Sequence, residues 1–214
     1  MQPPNKNDTI IFQHILSNSE YMQAAEFTVP RALRYCRLHK MDYRLIVGRV
    51  TKYAGMDGHW EVPALFDDFL EQGYQNVIYF DSDTLISNLE PDMRTACVSG
   101  KIGAVWHDLS YWPEFDHSCY NVGALYATNS PEVRDFVKQW MECAPGSGEW
   151  PWWENGAFNV LGGQMDVINR LDNCWNAQET VSPSDHPVVS GFHGMANRIE
   201  VMRNCLLTGL KSSV

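Results

Sequence analysis

The amino-acid sequence predicts an α/β fold with a mostly parallel central sheet flanked by helices. Short apolar segments of strand length alternate with longer segments of helical periodicity over about the first 80 residues. Strands that alternate with helices in this way pair in parallel through right-handed crossovers. The length of 214 residues suits one substantial domain and is short for two. We therefore expect a single domain over residues 1–214.

The first elements have clear boundaries. Residues 9–12 and 43–47 are predicted strands. The segment 21–39 between them is predicted to be helical, with Pro30 as a break or a new start. A second helix then follows, with a proline in its first turn and a glycine just past its end. Its apolar residues recur at helical spacing: Val62, Leu65, Phe66, Phe69 and Leu70.

The elements of the second half are less regular. A third strand over residues 77–81 completes the alternating pattern of the first half. Two further strands are predicted at 102–106 and 122–126. Helices are predicted at 132–141, after the sequence Asn-Ser-Pro, and at 155–161.

The composition and net charge limit the kinds of partner that the protein can bind. An apolar fraction of 44% and a charged fraction of 20% are typical of globular proteins. The net charge of −10 argues against nucleic acid or an anionic membrane as partner, because both are bound by basic patches. An anionic ligand would need a locally bound cation to attract it.

Cysteine spacing and the N-terminal residues bear on location. The N-terminal segment is polar, which is unlike a signal peptide, and no run approaches the ~20 apolar residues of a membrane span. We expect a soluble cytoplasmic protein, or one whose anchor is absent from this sequence. No Cys-x-x-Cys occurs, which predicts reduced, mostly buried thiols rather than a zinc site or a disulfide framework. The cysteines are Cys36, Cys97, Cys119, Cys143, Cys174 and Cys205.

The most informative segment is VIYFDSD, residues 77–83. Its four apolar residues predict a strand buried on both faces, and Asp81 and Asp83 follow at the carboxyl end, where open α/β sheets bind ligands. Two close carboxylates repel each other unless a cation lies between them, and Mg²⁺ and Mn²⁺ prefer oxygen ligands. The segment therefore predicts a metal-assisted diphosphate site. An exposed turn or a helix cap is the simpler alternative.

A rival interpretation uses the same carboxylates. Haloacid-dehalogenase-like phosphatases also carry Asp-x-Asp after an apolar strand, with the first Asp as nucleophile. Their pattern has Thr or Val two residues beyond the second Asp, on the first strand of the fold. Here Thr84 is one residue beyond Asp83 and Leu85 is two beyond, and at least two strands precede. Both departures disfavour Asp81 as a phosphatase nucleophile.

Further motifs follow the aspartates in a set order. They are YNVGAL at 120–125, WENGAFN at 153–159 and GFHG at 191–194. This order resembles the GT-A fold glycosyltransferases, which have a Rossmann-like sheet. The resemblance is greatest to the retaining groups that include glycogenin-like enzymes, lipopolysaccharide galactosyltransferases and the xylosyl/galactosyl/mannosyl transferases of cell-wall polysaccharides. It runs over residues 9–198.

The resemblance implies an activity and a metal. The reaction would transfer a hexosyl or pentosyl group from a nucleoside-diphosphate sugar to a hydroxyl acceptor such as a saccharide, with retention. UDP is the default nucleotide in these families. Asp81, Asp83 and His193 would hold Mn²⁺ or Mg²⁺, although a single histidine is more often structural.

The resemblance also implies the residues around the donor. Glu154, Asn155 and Asp108 would be catalytic residues beside the sugar. The donor would be bound by Asp81, Ser82, Asp83, Asn121, Gly123, Gly194, Arg198 and Tyr21. Simpler interpretations exist for several of them: a first-turn helix residue for Glu154, a loop cap for Asp108 and a strand bulge for Gly123. Tyr21, whose ring would stack on the base, could equally be a helix core residue.

Two features depart from the family pattern or go beyond it. Many relatives carry an Arg or Lys near the diphosphate about twenty residues before the aspartates, but residues 59–62 contain neither. Relatives of the glycogenin type also carry a Lys shortly after the C-terminal His and Gly, and Arg198 is the candidate for that role. Loss of the basic contact with the diphosphate would suit a non-catalytic nucleotide-sugar binding module. Trp150, Trp152 and Trp153 precede Glu154 and predict either a saccharide acceptor site or a core plug under a loop.

Overall fold

The computed structural model describes residues 7–16, 19–51, 58–110, 118–144, 153–195 and 197–211. A six-stranded sheet lies at its centre, in the order β2-β1-β3-β6-β5-β7. Only β6 runs antiparallel to its neighbours β3 and β5, so the predicted mostly parallel sheet is confirmed. The strands are β1 (Thr9–Ile15), β2 (Asp42–Val47), β3 (Asn76–Asp81), β5 (Ile102–His107), β6 (Cys119–Thr128) and β7 (Ile168–Leu171).

Helices cover both faces of the sheet, as predicted. They are α1 (Ser19–His39), α2 (Glu61–Glu71), α3 (Pro131–Glu142), α4 (Trp153–Gln164) and α5 (Arg198–Lys211). The expectation of a break or new start at Pro30 is wrong, because α1 continues through it. A proline inside a helix removes one hydrogen bond and normally kinks the axis. The helix is anchored on both sides of Pro30: Ala24 packs in a cluster with β4 and α5, and Ala32 and Tyr35 pack in a core layer of the central sheet.

Alternating side chains of the central strands build two core layers. Ile10, Phe12 and Tyr79 point to the face covered by α2, α3 and α4. Ile11 and Ile78 point to the opposite face, against α1. This period of two is what a strand buried on both faces requires. The continuous apolar run before Asp81 therefore has the predicted place in the sheet.

A small second sheet brings the C-terminal part of the chain to the end of β3. Strand β4 (Thr84–Ile86) pairs antiparallel with β8 (Val189–Gly191), and Thr84 lies opposite Gly191. Neither β8 nor the helix α5 that follows was predicted as an element. Their position places Phe192, His193 and Arg198 directly beside the carboxyl end of β3.

Strand order also creates a crevice at the carboxyl ends of β1 and β3. The chain passes from β1 to β2 on one side and then returns to β3 on the other side of β1. Ligands bind in α/β sheets at such points of reversed strand order. His14 of β1 and Asp81 of β3 lie opposite each other in the register at this point.

The start of α3 offers a test of the local folding signals. Ser130 accepts a hydrogen bond from the backbone N–H of Val133 at 3.2 Å, and Pro131 follows at the first helical position. Loss of an N-cap side chain costs about 1 kcal/mol. Ser130→Ala should therefore lower the free energy of unfolding by about that amount in urea denaturation, whereas Ser130→Asp should restore most of it. Equal stabilities for Ser130→Ala and the native chain would contradict this role.

Two further expectations concern the chain as a whole. Within the described residues, no helix is long and apolar enough to cross a membrane. All six cysteines are free thiols, and only Cys36 is fully buried. The expectation of mostly buried thiols is therefore wrong, because four lie on partly covered positions and Cys205 is exposed.

Candidate active site

The two aspartates occupy the turn between β3 and β4. Asp81 is the last residue of β3 and is partly exposed, whereas only 4% of Asp83 is exposed. The Tyr79 hydroxyl donates a hydrogen bond to Asp81 Oδ1. Thr28 of α1 donates to the backbone carbonyl of Ser82 at 3.1 Å. The turn is thus held from the sheet and from α1, so the carboxylates do not lie in a loose loop.

His193 lies against both carboxylates. Its Nδ1 is 3.0 Å from Asp83 Oδ1 and 3.6 Å from Asp81 Oδ2. The β4–β8 pairing positions it, and the backbone N–H of Phe192 donates to the Asp83 carbonyl at 3.1 Å. Gln178 donates to the His193 carbonyl at 2.9 Å. The predicted metal ligands are therefore brought together, although about 110 residues separate them along the chain.

The chemistry of this cluster fits a divalent cation. One ligand atom from each of Asp81, Asp83 and His193 lies within 4.8 Å of the others. Two ligands at right angles on Mg²⁺, each at about 2.1 Å, lie about 3.0 Å apart, close to the separations between Nδ1 and the carboxylate oxygens. Burial lowers the pKa of His193, but Asp83 and Asp81 outweigh it and raise the pKa to about 9. The negative charges of Asp81 and Asp83, which favour a proton on this imidazole, also favour a bound metal ion.

Two glycines allow this close approach. A Cβ on Gly123 would lie 2.6 Å from His193 Nε2 and 2.8 Å from Asp81 Oδ2. A Cβ on Gly191 would lie 2.8 Å from the same imidazole nitrogen. Gly123 also lies in a bulge, since the β5–β6 register jumps from Ala104 opposite Leu125 to Val105 opposite Asn121. Gly123 therefore lies in a strand bulge and also allows the close approach of His193. The strand bulge does not exclude a role of this glycine in the site.

Arg198 supplies a positive charge from the start of α5. Its Nη1 lies 2.6 Å from Asp83 Oδ2, and its Nε lies 2.8 Å from Glu20 Oε1. The guanidinium carbon also lies 5.6 Å from the ring centroid of Tyr21. Although burial raises the pKa of Asp83, His193 and Arg198 lower it below its ordinary value. Arg198 thus reaches Asp83, one of the two predicted carboxylate ligands.

A cleft of about 530 Å³ opens over the cluster. Every residue predicted for the site lines it, except Asp108. The predicted residues that line the cleft are Tyr21, Asp81, Ser82, Asp83, Asn121, Gly123, Glu154, Asn155, His193, Gly194 and Arg198. This volume is in the range of pockets that hold small-molecule ligands.

The two predicted asparagines shape one wall of the cleft. Asn121 Oδ1 accepts hydrogen bonds from the Gly123 N–H at 2.8 Å and from Asn176 Nδ2 at 2.9 Å. Asn155 Oδ1 accepts from the Val122 N–H at 2.9 Å. Both amides satisfy backbone groups that the bulge leaves outside the strand ladder. Their roles toward a substrate stay predictions.

Glu154 lies buried at the start of α4. Only 6% of the residue is exposed, and its Oε1 is 3.8 Å from His59 Nδ1. Trp140 of α3 donates to the Glu154 backbone carbonyl at 2.8 Å, which fixes the start of the helix. A buried carboxylate in a cleft is more informative than an exposed first-turn glutamate. Its catalytic role stays a prediction.

Asp108 lies outside the group of cleft residues. It is exposed, and its Oδ1 accepts hydrogen bonds from the Ser110 N–H and the Ser118 hydroxyl, each at 3.0 Å. These contacts are those of a loop cap. The hydrogen bonds with Ser110, above all, lower the pKa of this carboxyl. Its predicted catalytic role is untested.

Three histidines of the cleft were missed by the sequence interpretation: His14, His59 and His107. Two of them, His14 and His107, lie near the ends of strands. His14 lies near the end of β1, and its Nε2 lies 2.7 Å from the Gly48 carbonyl oxygen. His107 ends β5 and is buried, and burial followed by the nearby His193 lowers its pKa to about 3. Both line the cleft. The signal was available, because the strand-end rule that singled out Asp81 applies equally to β1 and β5.

The fold is that of the GT-A glycosyltransferases, and solved structures of this class share it. One is a glycosyltransferase involved in glycosylation of the major capsid of PBCV-1, with a TM-score of 0.66 and 14% identity over 92% of this chain and 98% of that one. Another is the galactosyltransferase LgtC in complex with donor and acceptor sugar analogs, with a TM-score of 0.59 and 12% identity over 94% and 95% of the two chains.

A mammalian structure shares the same fold. Mouse xyloside xylosyltransferase 1 has a TM-score of 0.55 and 10% identity over 89% of this chain and 98% of that one. No protein-family model matches the sequence, and no curated protein matches it. The structural similarity at these identities defines the fold, and the predicted resemblance is confirmed at that level.

Proposed function

We propose that this protein is a metal-dependent glycosyltransferase that uses a nucleoside-diphosphate sugar. The observation that carries the proposal is the Asp81–Asp83–His193 cluster, which lies in a cleft at the carboxyl ends of β1 and β3 of a GT-A fold. The cluster offers two carboxylate oxygens and one imidazole nitrogen on the same side. Such a set suits Mn²⁺ or Mg²⁺ and leaves coordination positions for diphosphate oxygens.

The residues around the cluster have distinct roles in this proposal. A metal ion held by Asp81, Asp83 and His193 would neutralise charge on the leaving diphosphate. Arg198 would exchange part of its contact with Asp83 for the diphosphate and add a second positive charge. Tyr21 would stack on the nucleobase, and the backbone of Ser82, Gly123 and Gly194 would allow close approach.

The sugar would lie between Asn121 and the start of α4. Glu154 would accept a hydrogen bond from the incoming hydroxyl or stabilise positive charge on the sugar ring, and Asn155 would hold β6 in register beside it. Asp108 would have to reorient to touch a donor. We propose UDP as the nucleotide and retention of anomeric configuration, as in the families that the motifs resemble. Solved structures with this fold include both a galactosyltransferase and a xylosyltransferase, so hexosyl and pentosyl donors both deserve testing.

The two alternatives are not favoured. A phosphatase with Asp81 as nucleophile would place this residue on the first strand, whereas β3 is the third strand of the chain. A non-catalytic binding module was suggested by the missing basic residue at 59–62. Arg198 now supplies a cation at the carboxylate pair.

The first test is metal dependence of nucleotide binding. Titration of UDP and of GDP into the native protein by isothermal calorimetry should show binding with Mn²⁺ and at least tenfold weaker binding after chelation with EDTA, because the cation provides most of the attraction in a protein of net charge −10. A preference for UDP would direct the donor screen, in which product anomers are assigned by NMR. Absence of binding by either nucleotide, with metal present and the protein folded, would refute the proposal.

A further inference from the structure

An aromatic pair lies on one wall of the cleft, apart from the metal cluster. The Trp153 indole stacks on the His59 imidazole, with ring centroids 4.7 Å apart and planes 13° apart. Both residues line the cleft. Since 44% of Trp153 is exposed, this tryptophan does not fill the core under a loop, which was the second interpretation of the tryptophan-rich segment. Trp150 and Trp152 lie outside the described residues. An exposed indole beside a cleft is typical of a surface that binds a ligand.

The conformation of Trp153 is held by its neighbours. Its φ of 52° lies in the left-handed region, which a bulky side chain rarely adopts. The next residue, Glu154, is fixed by the hydrogen bond from Trp140 to its carbonyl. The stack on His59 holds the indole itself. The aromatic surface is thus presented in one orientation, so a ligand that stacks on it would not have to order it.

The groups beside this surface indicate the chemistry of the ligand. The Glu154 carboxylate lies next to the pair, with Oε1 at 3.8 Å from His59 Nδ1. A flat apolar ring with a carboxylate at its edge suits a pyranose, whose C–H face packs on the ring while a hydroxyl donates to the carboxylate. The same carboxylate and the net charge of −10 disfavour a second anionic ligand at this wall.

We propose that Trp153 and His59 form an acceptor subsite that binds a pyranose ring of a carbohydrate. This inference rests on the proposed function, because a sugar stacked here is an acceptor only if the cleft also binds a glycosyl donor. Glu154 then lies between the stacked ring and the donor, where it can contact the acceptor hydroxyl.

Ligand-observed saturation-transfer NMR tests the subsite without knowledge of the donor. The probes are the methyl glycosides of glucose, galactose, mannose and xylose, with the native protein saturated with UDP and diamagnetic Mg²⁺, because paramagnetic Mn²⁺ would broaden the ligand signals. Trp153→Gly removes the indole but tolerates the positive φ, so it should fold, and Trp153→Phe keeps a smaller ring. Val160→Ala is the matched control, since Val160 is an exposed apolar residue of the same helix that does not line the cleft.

We expect at least one glycoside to bind the native protein and the Val160→Ala variant equally. Trp153→Gly should weaken that binding by roughly three- to tenfold, with Trp153→Phe in between. Equal glycoside binding in Trp153→Gly and the native protein would overturn the inference. So would absence of any glycoside signal while UDP and Mg²⁺ bind normally, an outcome that leaves the proposed function intact. Loss of UDP binding in Trp153→Gly would assign the ring to the nucleotide instead, and failure of UDP and glycosides alike would remove both proposals.

Discussion

Replacement of Asp83 by asparagine should remove most of the Mn²⁺-dependent binding of UDP. The substitution keeps the side-chain shape but deletes the negative charge that faces both His193 and Arg198. Loss of an outer-shell partner of a metal site lowers affinity by about 10–100-fold, so loss of a ligand should cost on the order of 100-fold or more. Calorimetric titration of UDP at fixed Mn²⁺ measures the change. UDP binding without metal should change much less.

A surface aspartate provides the control for this substitution. The Asp166 side chain is almost fully exposed and pairs with Lys101 at 2.7 Å, away from the cleft. Asp166→Asn removes the same charge and should leave UDP affinity within about twofold, because exposed ion pairs contribute little. Thermal unfolding of Asp83→Asn must show a folded protein at the titration temperature. Native-like, Mn²⁺-dependent affinity in folded Asp83→Asn would rule out the proposed metal site.

Gly123→Ala should disable the site while the fold survives. The added methyl group would lie within 3 Å of His193 Nε2 and Asp81 Oδ2, closer than carbon atoms approach such groups. Both neighbours are side chains and can move, so the cost to stability should be about 1–3 kcal/mol. Their movement separates the ligands, however, and UDP affinity with Mn²⁺ should fall by on the order of 100-fold. Parallel measurement of unfolding and of UDP titration separates the two effects.

Gly163→Ala is the matched comparison. Gly163 lies in the last turn of α4, and a Cβ there would meet no atom within 4 Å. Alanine is favoured over glycine by about 1 kcal/mol in a helix interior, and by less in the last turn. This variant should therefore be slightly more stable than the native chain, with unchanged UDP affinity. If Gly123→Ala binds UDP and Mn²⁺ as Gly163→Ala does, close approach at Gly123 is not required for the site.

The sequence predicted five of the six strands of the central sheet, because these strands carry strong local signals, whereas β7 (Ile168–Leu171) was not predicted. The buried runs of β1 and β3 and the helical spacing of α2 lie in contiguous segments with clear ends. The short strands β4 and β8 have three residues each, which is below the length at which alternation can be recognised. They pair with each other about 100 residues apart along the chain, and β8 also bridges Ala177, so tertiary contacts rather than local propensity determine them.

The residues of the candidate site also fall into those with a local sequence signal and those placed by tertiary contacts. Asp81 and Asp83 could be found from the strand that precedes them, whereas His193 and Arg198 were indicated only by resemblance, because the β4–β8 pairing brings them to the aspartates. Asp108 and His107 are adjacent, yet only His107 lines the cleft. Sequence alone could not separate them, since the register of β5 with β6 is interrupted by the bulge near Ala104.

The pairing of β4 with β8 also makes ligand binding sensitive to the integrity of the entire fold. Two of the three proposed ligands, Asp81 and Asp83, come from the end of β3 and the turn after it, and the third, His193, comes from the part of the chain after β8. An unfolded chain cannot assemble all three ligands, so the free energy of metal and nucleotide binding adds to the stability of the folded state. Nucleotide and metal together would thus protect the C-terminal helix, through its Arg198, against local unfolding that the helix would undergo more readily in the free protein.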